Sequence, residues 1–359
     1  MSLLKKAKIN KVSLDLSKYM YYIQGQQKCG KTTFARDFII ERYKDASKGL
    51  LLAIGKEKGY NALDNIQALD IETWKEFDAI VKELVETKGE NGIEFIFVDT
   101  YDELIPLAEK EVCRLSQIAT GKPCKTLNSA FGGYGAGRIE LRKLVTEKIS
   151  LLNQYYGLVV LGHTKLKTIK EQGMIEDQEY QIVSSNLNAD YHNIIAHKAD
   201  VIGTVVVERS VDGEHKRVSG VETNLYLRGT HFIEAGSRFS NIVEKIEFNA
   251  HNFINAIEDA IKNTSSTKMT DEEFKFKQEE EKRINDEFAI SQRENVLFQT
   301  EDTEENVVNK DELLSQIQTK MKTANVDLRN KAIAFVKSKG GKTSEMEIDD
   351  LKALLDMLK

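Results

Sequence analysis

The stretch best suited to chemistry is the segment 25–32, which reads Gly-Gln-Gln-Lys-Cys-Gly-Lys-Thr. It fits the phosphate-binding pattern G-x-x-x-x-G-K-[ST], in which glycines let successive backbone N–H groups face a phosphate. The lysine of the pattern reaches the β and γ oxygens, and its final hydroxyl ligates Mg²⁺. The segment therefore predicts a site for ATP and Mg²⁺. The residues predicted to contact the nucleotide are Gly25, Gln26, Gln27, Lys28, Cys29, Gly30, Lys31, Thr32 and Thr33.

A second ligand for the metal is expected at the end of a buried strand beside the loop. Asp99 directly follows the apolar run Ile93–Val98. In P-loop enzymes such an aspartate helps to hold Mg²⁺, here through a bound water. An aspartate in this place can also cap the next helix, and the two roles are compatible. Thr32 and Asp99 are the predicted metal ligands.

The elements that position these groups follow from alternating apolar and amphipathic stretches. Six runs of strand length are apolar at nearly every position, as expected when both faces of a sheet are covered. Amphipathic stretches separate them, which is typical of a parallel sheet with crossover helices. The predicted fold class is α/β with a mainly parallel sheet. The predicted strands are Met20–Gln24, Leu50–Ile54, Ile93–Val98, Gly157–Gly162, Val201–Val207 and Thr223–Leu227, and the predicted helices are Thr32–Tyr43, Ile71–Thr87, Tyr101–Ser116 and Ala136–Gln154.

Length and composition indicate a globular protein with one large α/β domain and a smaller appendage. The 359 residues are 41% hydrophobic and 30% charged, which excludes a fibrous or fully disordered chain. Three scattered cysteines are too few for a disulfide framework or a zinc knuckle. No apolar run reaches 18 residues, and Met1–Lys11 is basic without the apolar stretch of a signal peptide. We therefore expect no membrane partner and a cytoplasmic location.

The acidic residues of the chain are concentrated in its last third. The net charge is −6, while residues 271–310 contain 13 Asp or Glu and six Lys or Arg, so the rest is close to neutral. A nucleic-acid partner therefore stays open. We predict an ATPase core over 1–263 and an acidic tether over 264–310, either a solvated helix or disordered. Apolar residues at helical spacing predict a small helical module over 311–359.

Taken together, the motifs resemble those of RecA-like nucleotide-binding proteins of phages, some of which are single-strand annealing proteins of the Sak group. Proteins of this kind are sometimes described as an AAA domain. The resemblance implies a RecA-like core, ATP-modulated binding of single-stranded DNA, recombination or annealing, and self-assembly into a ring or filament. It also implies the host cytoplasm for a phage-encoded chain, with single-strand-binding or other recombination proteins as partners. It covers roughly 18–249 and rests on the P-loop, Glu57, Asp99, Thr100, Gly162, His163, Asp200 and Arg238.

The resemblance also supplies a candidate general base. RecA-like proteins place a water-activating glutamate after the strand that follows the P-loop helix. Here the strand Leu51–Ile54 leads to Glu57, whose carboxylate can orient and deprotonate water. Glu57 is alternatively a surface residue in a lysine-rich turn, and Asp102 and Glu103 are the backup candidates. Thr100 stands where AAA+ ATPases normally carry a second acidic residue, which disfavours that class.

Two further catalytic roles come from the same resemblance. His163 follows a predicted strand, where a polar residue of RecA-like folds senses the γ-phosphate and signals to the DNA loops. Arg238 lies in a stretch similar to the Lys-Asn-Arg-Phe stretch of RadA-type ATPases, with the lysine and asparagine replaced. It is a candidate to act on the γ-phosphate across a subunit boundary. The alternatives are a histidine bonded to backbone and a surface arginine. The predicted catalytic residues are Glu57, Lys31, His163 and Arg238.

A basic connection is the candidate DNA-binding region. Residues 114–143 contain six Lys or Arg and one Glu, and their glycine-rich middle carries two aromatic rings. Basic groups with stackable rings suit single strands, although a solvated helix with a mobile connection gives the same pattern. Residues 165–198 contain four Lys and five acidic residues, so charge does not support DNA contact there. The predicted DNA-binding residues are Lys122, Lys125, Phe131, Tyr134 and Arg138.

The sequence therefore predicts an ATP-hydrolysing RecA-like protein that acts on single-stranded DNA in phage-type recombination or annealing. Two alternatives stay open. One is a replication-associated P-loop motor or helicase loader. The other is a nucleotide switch without motor activity that recruits protein partners. DNA-stimulated hydrolysis favours recombination or annealing. Binding to a replicative helicase favours the motor or helicase loader, and slow unstimulated hydrolysis favours the nucleotide switch.

Overall fold

The chain divides into two compact units, with the division after Ile290. The structure is a computed structural model. It describes residues 10–56, 58–169, 179–211, 218–265 and 268–293. Further along the chain it describes 317, 320–321, 326–339, 341, 343, 346 and 348–358.

The first unit is built on one sheet with a parallel centre. Its strands are β1 (Met20–Gly25), β2 (Gly49–Ile54), β3 (Ala68–Ile71), β4 (Phe95–Asp99), β5 (Gly157–Ile169), β6 (Tyr180–Ser185), β7 (Val201–Val211), β8 (Val218–Tyr226), β9 (Gly236–Ser237) and β10 (Lys245–Glu247). Their order is β10-β8-β7-β1-β5-β4-β2-β3, with β6 beside β5 and β9 beside β7. The six strands from β7 to β3 pair in parallel. The pairs that involve β6, β8, β9 and β10 are antiparallel.

Helices cover both faces of this sheet. They are α1 (Lys31–Tyr43), α2 (Trp74–Glu86), α3 (Tyr101–Thr120), α4 (Ala136–Tyr155), α5 (Ala189–Ala196), α6 (Ala250–Thr264) and a helix over 271–293, α7. Tyr22 belongs to the core with α2, α3 and α4, whereas Tyr21 and Ile23 belong to the core with α1 and α6. Adjacent strand residues face opposite sides, which explains why β1 is apolar throughout. The predicted α/β class with a mainly parallel sheet is confirmed.

The described helices also bear on membrane association. Among the residues that the structure describes, no helix combines the length and the apolar character needed to cross a bilayer.

Several elements differ from the sequence prediction. The second helix begins at Trp74 and not at Ile71, because the side chain of Thr73 accepts a hydrogen bond from Glu76 N and forms a capping box with it. Ile71 instead ends β3, a short edge strand without a continuous apolar run. β5 continues to Ile169, because its second half leaves the parallel sheet and pairs with β6.

The predicted boundary after 263 differs from the structure. Part of the acidic stretch forms α7, and the division between the compact units falls after Ile290, three residues before the last described residue of that helix. The first half of the predicted tether therefore belongs to the first unit. Residues 294–310 of that tether lie outside the described residues.

Packing explains why α7 joins the first unit despite its charge. Phe274 and Gln278, one helical turn apart, are both buried. Gln278 Nε2 donates to the Leu14 carbonyl at 2.8 Å. The carboxylate of Glu281 accepts from Leu14 N at 3.0 Å and from Ser13 Oγ at 2.6 Å. Charge counting missed this face because only every third or fourth residue of the helix contacts the core.

The second unit contains two described helices, α8 (Val326–Ser338) and α9 (Ile348–Met357). Ala332 of α8 and Leu351 and Leu354 of α9 are buried in a small apolar cluster of this unit. The helical spacing of apolar residues in this part of the sequence thus has a packing basis.

Candidate nucleotide site

The loop between β1 and α1 requires glycine at two positions. A Cβ on Gly25 would lie 2.8 Å from both Cys29 Sγ and Val205 Cβ. Gly30 has φ 96°, in the left-handed region, which glycine adopts without the strain that a Cβ brings. Lys28, with φ 60°, also lies in this region. α1 begins directly after Gly30, so the free N–H groups of its first turn border the loop and favour an anion there.

Lys31 is held inside this loop. Its Nζ donates to the carbonyl oxygens of Gly25 at 3.0 Å and Gln26 at 2.9 Å. Only 6% of the residue is exposed, and a buried ammonium group needs such acceptors. The positive charge therefore lies where the pattern predicts contact with the β- and γ-phosphate oxygens.

The two predicted metal ligands are in direct contact. Thr32 Oγ1 donates to Asp99 Oδ2 at 2.7 Å. β5 lies between β1 and β4, and its pairing aligns Gly25 with His163 and Asp99 with Leu161. Mg²⁺ is commonly held by one or two protein oxygens, with phosphate oxygens and water completing its shell. The adjacent hydroxyl and carboxylate fit this requirement.

These groups line a cavity of about 390 Å³. Its walls come from the P-loop, from the end of β4, from the middle of β5 and from the turn after β2. The lining residues outside the P-loop are Lys58, Gly59, Asp99, Thr100 and His163. The volume and the mixture of backbone, ammonium, hydroxyl and carboxylate groups suit a nucleotide phosphate chain.

The turn after β2 contributes residues that sequence reasoning missed. Lys58 and Gly59 line the cavity, and a Cβ on Gly59 would lie 3.3 Å from Thr32 Oγ1. Lys58 Nζ donates to Asp70 Oδ2 at 2.6 Å, which ties the turn to β3. Gly59, two residues after the proposed base Glu57, was the available sequence signal for this contact. Glu57 itself lies outside the described residues, so its role stays a prediction.

The backup bases are placed differently from each other. Asp102 is mostly buried, and burial raises the pKa of its carboxyl. Its Oδ2 accepts a hydrogen bond from His163 N at 2.8 Å. Glu103 is exposed, and its Oε2 lies 3.0 Å from the position of a Cβ on Gly55. Asp102 is thus hydrogen-bonded to β5. The carboxylate of Glu103 lies instead beside Gly55, directly after β2.

His163 borders the cavity at the point where β5 leaves the sheet. Its Nδ1 is 3.7 Å from Asp102 Oδ2, and its carbonyl accepts a hydrogen bond from Asn186 N at 2.7 Å. Asn186 directly follows β6. The residue therefore contacts both this cavity and the base of the β5–β6 hairpin, and its role as a sensor stays a prediction.

Arg238 lies at the opposite end of the sheet from the P-loop. Its guanidinium donates to Asp200 Oδ1 and to the His197 carbonyl, both at 2.9 Å. Asp200 Oδ2 in turn accepts from Met20 N, at the start of β1. The P-loop follows the other end of β1, so Arg238 does not reach the cavity of its own subunit. Its side chain is 60% exposed, and the role across a subunit boundary stays a prediction.

The two rings of the predicted DNA-binding region differ in accessibility. Phe131 is half-buried and packs against the core beneath α3 and α4, and its N–H donates to Ser116 Oγ at 2.8 Å. Tyr134 is fully exposed. Among the predicted pair, Tyr134 is therefore the ring that can stack on a base, whereas Phe131 anchors the connection.

The basic side chains of this region surround a second, open cavity. Lys122 and Lys125 are exposed. Arg138 contacts Asp190 at 3.4 Å and is 57% exposed. The cavity has a volume of about 700 Å³, and its basic lining residues are Lys110, Arg114, Lys125 and Arg138. The region thus offers several positive charges beside one exposed ring.

Comparisons with known proteins identify one sequence family. Residues 17–239, more than half of the chain, match a sequence family described as "AAA domain". No curated protein sequence matches the chain. Among solved structures, the KaiC-like protein PH0186 from the hyperthermophilic archaeon Pyrococcus horikoshii OT3 aligns with a TM-score of 0.33 and 11% identity, over 65% of this chain and 85% of that one. By the family match over residues 17–239, the chain belongs to the AAA domain family and carries a P-loop NTPase domain.

Proposed function

We propose that this protein hydrolyses ATP with Mg²⁺ and acts on single-stranded DNA in recombination or annealing of the phage type. The observation that carries the ATPase part is the 2.7 Å contact between Thr32 Oγ1 and Asp99 Oδ2, beside the buried ammonium group of Lys31. A Mg²⁺-binding pair next to a phosphate-binding cation is the arrangement needed for phosphoryl transfer.

Each group has a separate task in this reaction. The loop N–H groups and Lys31 bind the phosphate oxygens and stabilise the charge that develops on them. Thr32, and Asp99 through a bound water, would hold Mg²⁺, which would neutralise phosphate charge. Glu57 orients and deprotonates the attacking water. His163 contacts the cavity and the β5–β6 hairpin, so it is the candidate to report γ-phosphate occupancy.

The DNA part rests on the basic connection between α3 and α4. Lys122, Lys125 and the fully exposed ring of Tyr134 lie on this connection, and Lys125 also lines the 700 Å³ cavity with three other basic residues. Backbone phosphates bind such charges, and unpaired bases stack on exposed rings. This combination favours a single strand over a duplex, whose bases are already stacked.

The primary test measures steady-state ATP hydrolysis with and without single-stranded DNA, with duplex DNA as the control. We expect Mg²⁺-dependent hydrolysis that single strands stimulate several-fold and duplex DNA stimulates less. Slow hydrolysis that no DNA stimulates would instead favour a nucleotide switch. Absence of both ATP binding and hydrolysis would overturn the proposal.

Tyr134→Ala is expected to weaken binding of single-stranded DNA by about tenfold, because stacking of one base on a ring contributes roughly 1–3 kcal/mol. ATP affinity should not change. Fluorescence anisotropy with a labelled oligonucleotide measures the effect. Phe276→Ala is the matched control, because Phe276 is an exposed ring on α7. Equal DNA affinity for the two variants would remove Tyr134 from the interface.

Replacing Lys122 and Lys125 with alanine tests the electrostatic part. For single strands, the slope of log affinity against log salt should become shallower by about 0.7 for each lost phosphate contact. Both side chains are exposed, so the fold should be unaffected. An unchanged slope would mean that the connection does not contact the DNA backbone.

Arg238→Ala tests action across a subunit boundary, which requires self-association into a ring or filament. We expect hydrolysis to fall at least about tenfold with ATP affinity unchanged, because an arginine that acts in trans stabilises only the transition state. Mixing this variant with Lys31→Ala protein should restore part of the activity, since each supplies what the other lacks. If mixing restored no activity and the Arg238→Ala protein had a lowered melting temperature, the role of Arg238 would be limited to its ion pair with Asp200.

A further inference from the structure

The segment 230–235, between β8 and β9, joins two parts of the nucleotide unit. On one side it bonds to β6: Val183 N donates to the Phe232 carbonyl at 2.7 Å, and Glu234 N donates to the Val183 carbonyl at 2.9 Å. Phe232 and Glu234 thus pair with β6 through backbone hydrogen bonds, as a short additional strand would. β6 is the outer strand of the β5–β6 hairpin.

On its other side, the segment bonds to the strand that carries the P-loop. Gln24 is fully buried and directly precedes Gly25. Its Nε2 donates to the Glu234 carbonyl at 3.3 Å and to Thr204 Oγ1 at 3.0 Å. Thr204 Oγ1 donates to the same Glu234 carbonyl. Two side chains beside the P-loop therefore depend on the position of one carbonyl oxygen.

The carboxylate of Glu234 fixes that position. It accepts hydrogen bonds from His192 Nε2 at 3.1 Å and from Ser184 Oγ. The bond from His192, followed by that from Ser184, holds the pKa of Glu234 at about 2 against the opposing effect of burial. The carboxylate is thus ionised at neutral pH, and charge-assisted hydrogen bonds are the stronger kind.

His192 is itself held in place by β1. The imidazole is buried in α5, and its ring centroid lies 5.7 Å from that of Tyr22. Tyr22 is on β1, and its hydroxyl is 3.3 Å from Ser185 Oγ at the end of β6. These groups therefore form one network between β1, β6, β7 and α5, with the half-buried Glu234 at its centre.

The hairpin is consequently attached to the nucleotide site twice. β5 reaches the cavity through His163, which lines it. β6 is attached through Glu234, whose carboxylate bonds to Ser184 and whose carbonyl bonds to Gln24. A displacement of β1, the strand that leads into the P-loop, would therefore shift both β5 and β6.

We propose that Glu234 is a positioning residue for ATP hydrolysis, which acts through Gln24 on the P-loop and links it to the β5–β6 hairpin. This inference rests on the proposed ATPase function. Glu234 does not touch the nucleotide cavity, so its effect is on geometry. Reaction rates are sensitive to such geometry, since a displacement of about 1 Å far from the chemistry can slow a reaction about a hundredfold.

The test compares Glu234→Ala, Glu234→Gln, Gln24→Met and the double variant Gln24→Met with Glu234→Ala in steady-state ATP hydrolysis. We expect Glu234→Ala to lower kcat about tenfold, with KM for ATP within about twofold of wild type. Glu234→Gln keeps an acceptor oxygen for His192 and Ser184 and should lie between Glu234→Ala and wild type. The double variant should be no slower than the slower single variant, because both changes break one connection.

Glu244→Ala, an exposed glutamate next to β10, is the matched control and should keep the wild-type kcat. A lowered melting temperature with a normal kcat for Glu234→Ala, or additive effects in the double variant, would overturn the inference. If Glu234→Ala does not fold, Glu234→Gln and Ser184→Ala give the same comparison. An inactive wild-type protein would overturn the proposed function instead, and the inference with it.

Discussion

Lys31→Ala is expected to abolish ATP turnover, by at least about a thousandfold, while the protein stays folded. The ammonium group is the only side-chain cation that the loop carbonyls of Gly25 and Gln26 hold inside the P-loop, among the residues that the structure describes. Its removal leaves the developing phosphate charge without its nearest cation in a partly enclosed site, where one lost electrostatic contact costs several kcal/mol. Phosphate release under saturating ATP and Mg²⁺ measures the loss.

The fold should survive because the lysine is bonded only to loop carbonyls and the Cys29 thiol. Circular dichroism and the melting temperature check this. Lys82→Ala removes the same charge from the outer face of α2 and is the matched control. If Lys31→Ala protein hydrolysed ATP at the wild-type rate, the assignment of the whole site would lose its basis. This includes the assignment of Thr32 and Asp99 as metal ligands.

The P-loop was predictable because its chemistry is local. Its glycines, lysine and threonine act through backbone curvature and the start of one helix, so eight consecutive residues specify the site. Asp99 was predictable for a related reason. An aspartate at the end of a buried apolar strand lies at the same edge of a parallel sheet as the P-loop, because both follow carboxyl ends of strands.

Contacts between distant segments were not predictable from the pattern of residues. Glu234 follows Phe232 and Ile233 in a short connection with no motif. The role that we propose for it depends on Gln24, Ser184 and His192, which are far apart in the sequence. Phe131 looked like an available ring because two glycines follow it, but its side chain packs against the core. The charge of α7 similarly concealed its buried face. In each case tertiary packing determines which side chain is accessible.

Arg238 shows the limit of a resemblance. Sequence similarity suggested a role at the γ-phosphate, and the fold places the residue at the far end of β1 from the P-loop. The ion pair with Asp200 gives Arg238 a structural task that a motif comparison does not reveal. The mixing experiment separates these two tasks because only action in trans can be restored by a second subunit.

Glu57→Gln is expected to bind ATP normally and to hydrolyse it at least about a hundredfold more slowly, which is a typical loss when a general base is removed. The residues on either side of Glu57 belong to a turn that borders the cavity. Gly55 directly follows β2 and has φ 77°, and Lys58 lines the cavity. Glutamine keeps the size and polarity of the side chain but cannot take a proton, so binding and chemistry are separated.

Asp102→Asn and Glu103→Gln provide the decisive comparison, because each removes one of the other carboxylates near the cavity. Asparagine at 102 retains an oxygen that can accept the hydrogen bond from His163 N, so a positioning role survives the change while a base role does not. We expect both variants to keep activity within about threefold of wild type. ATP affinity by isothermal titration calorimetry and single-turnover hydrolysis would be measured for all three. An active Glu57→Gln protein beside an inactive Glu103→Gln or Asp102→Asn protein would transfer the general base to α3 and contradict the RecA-type arrangement of the site.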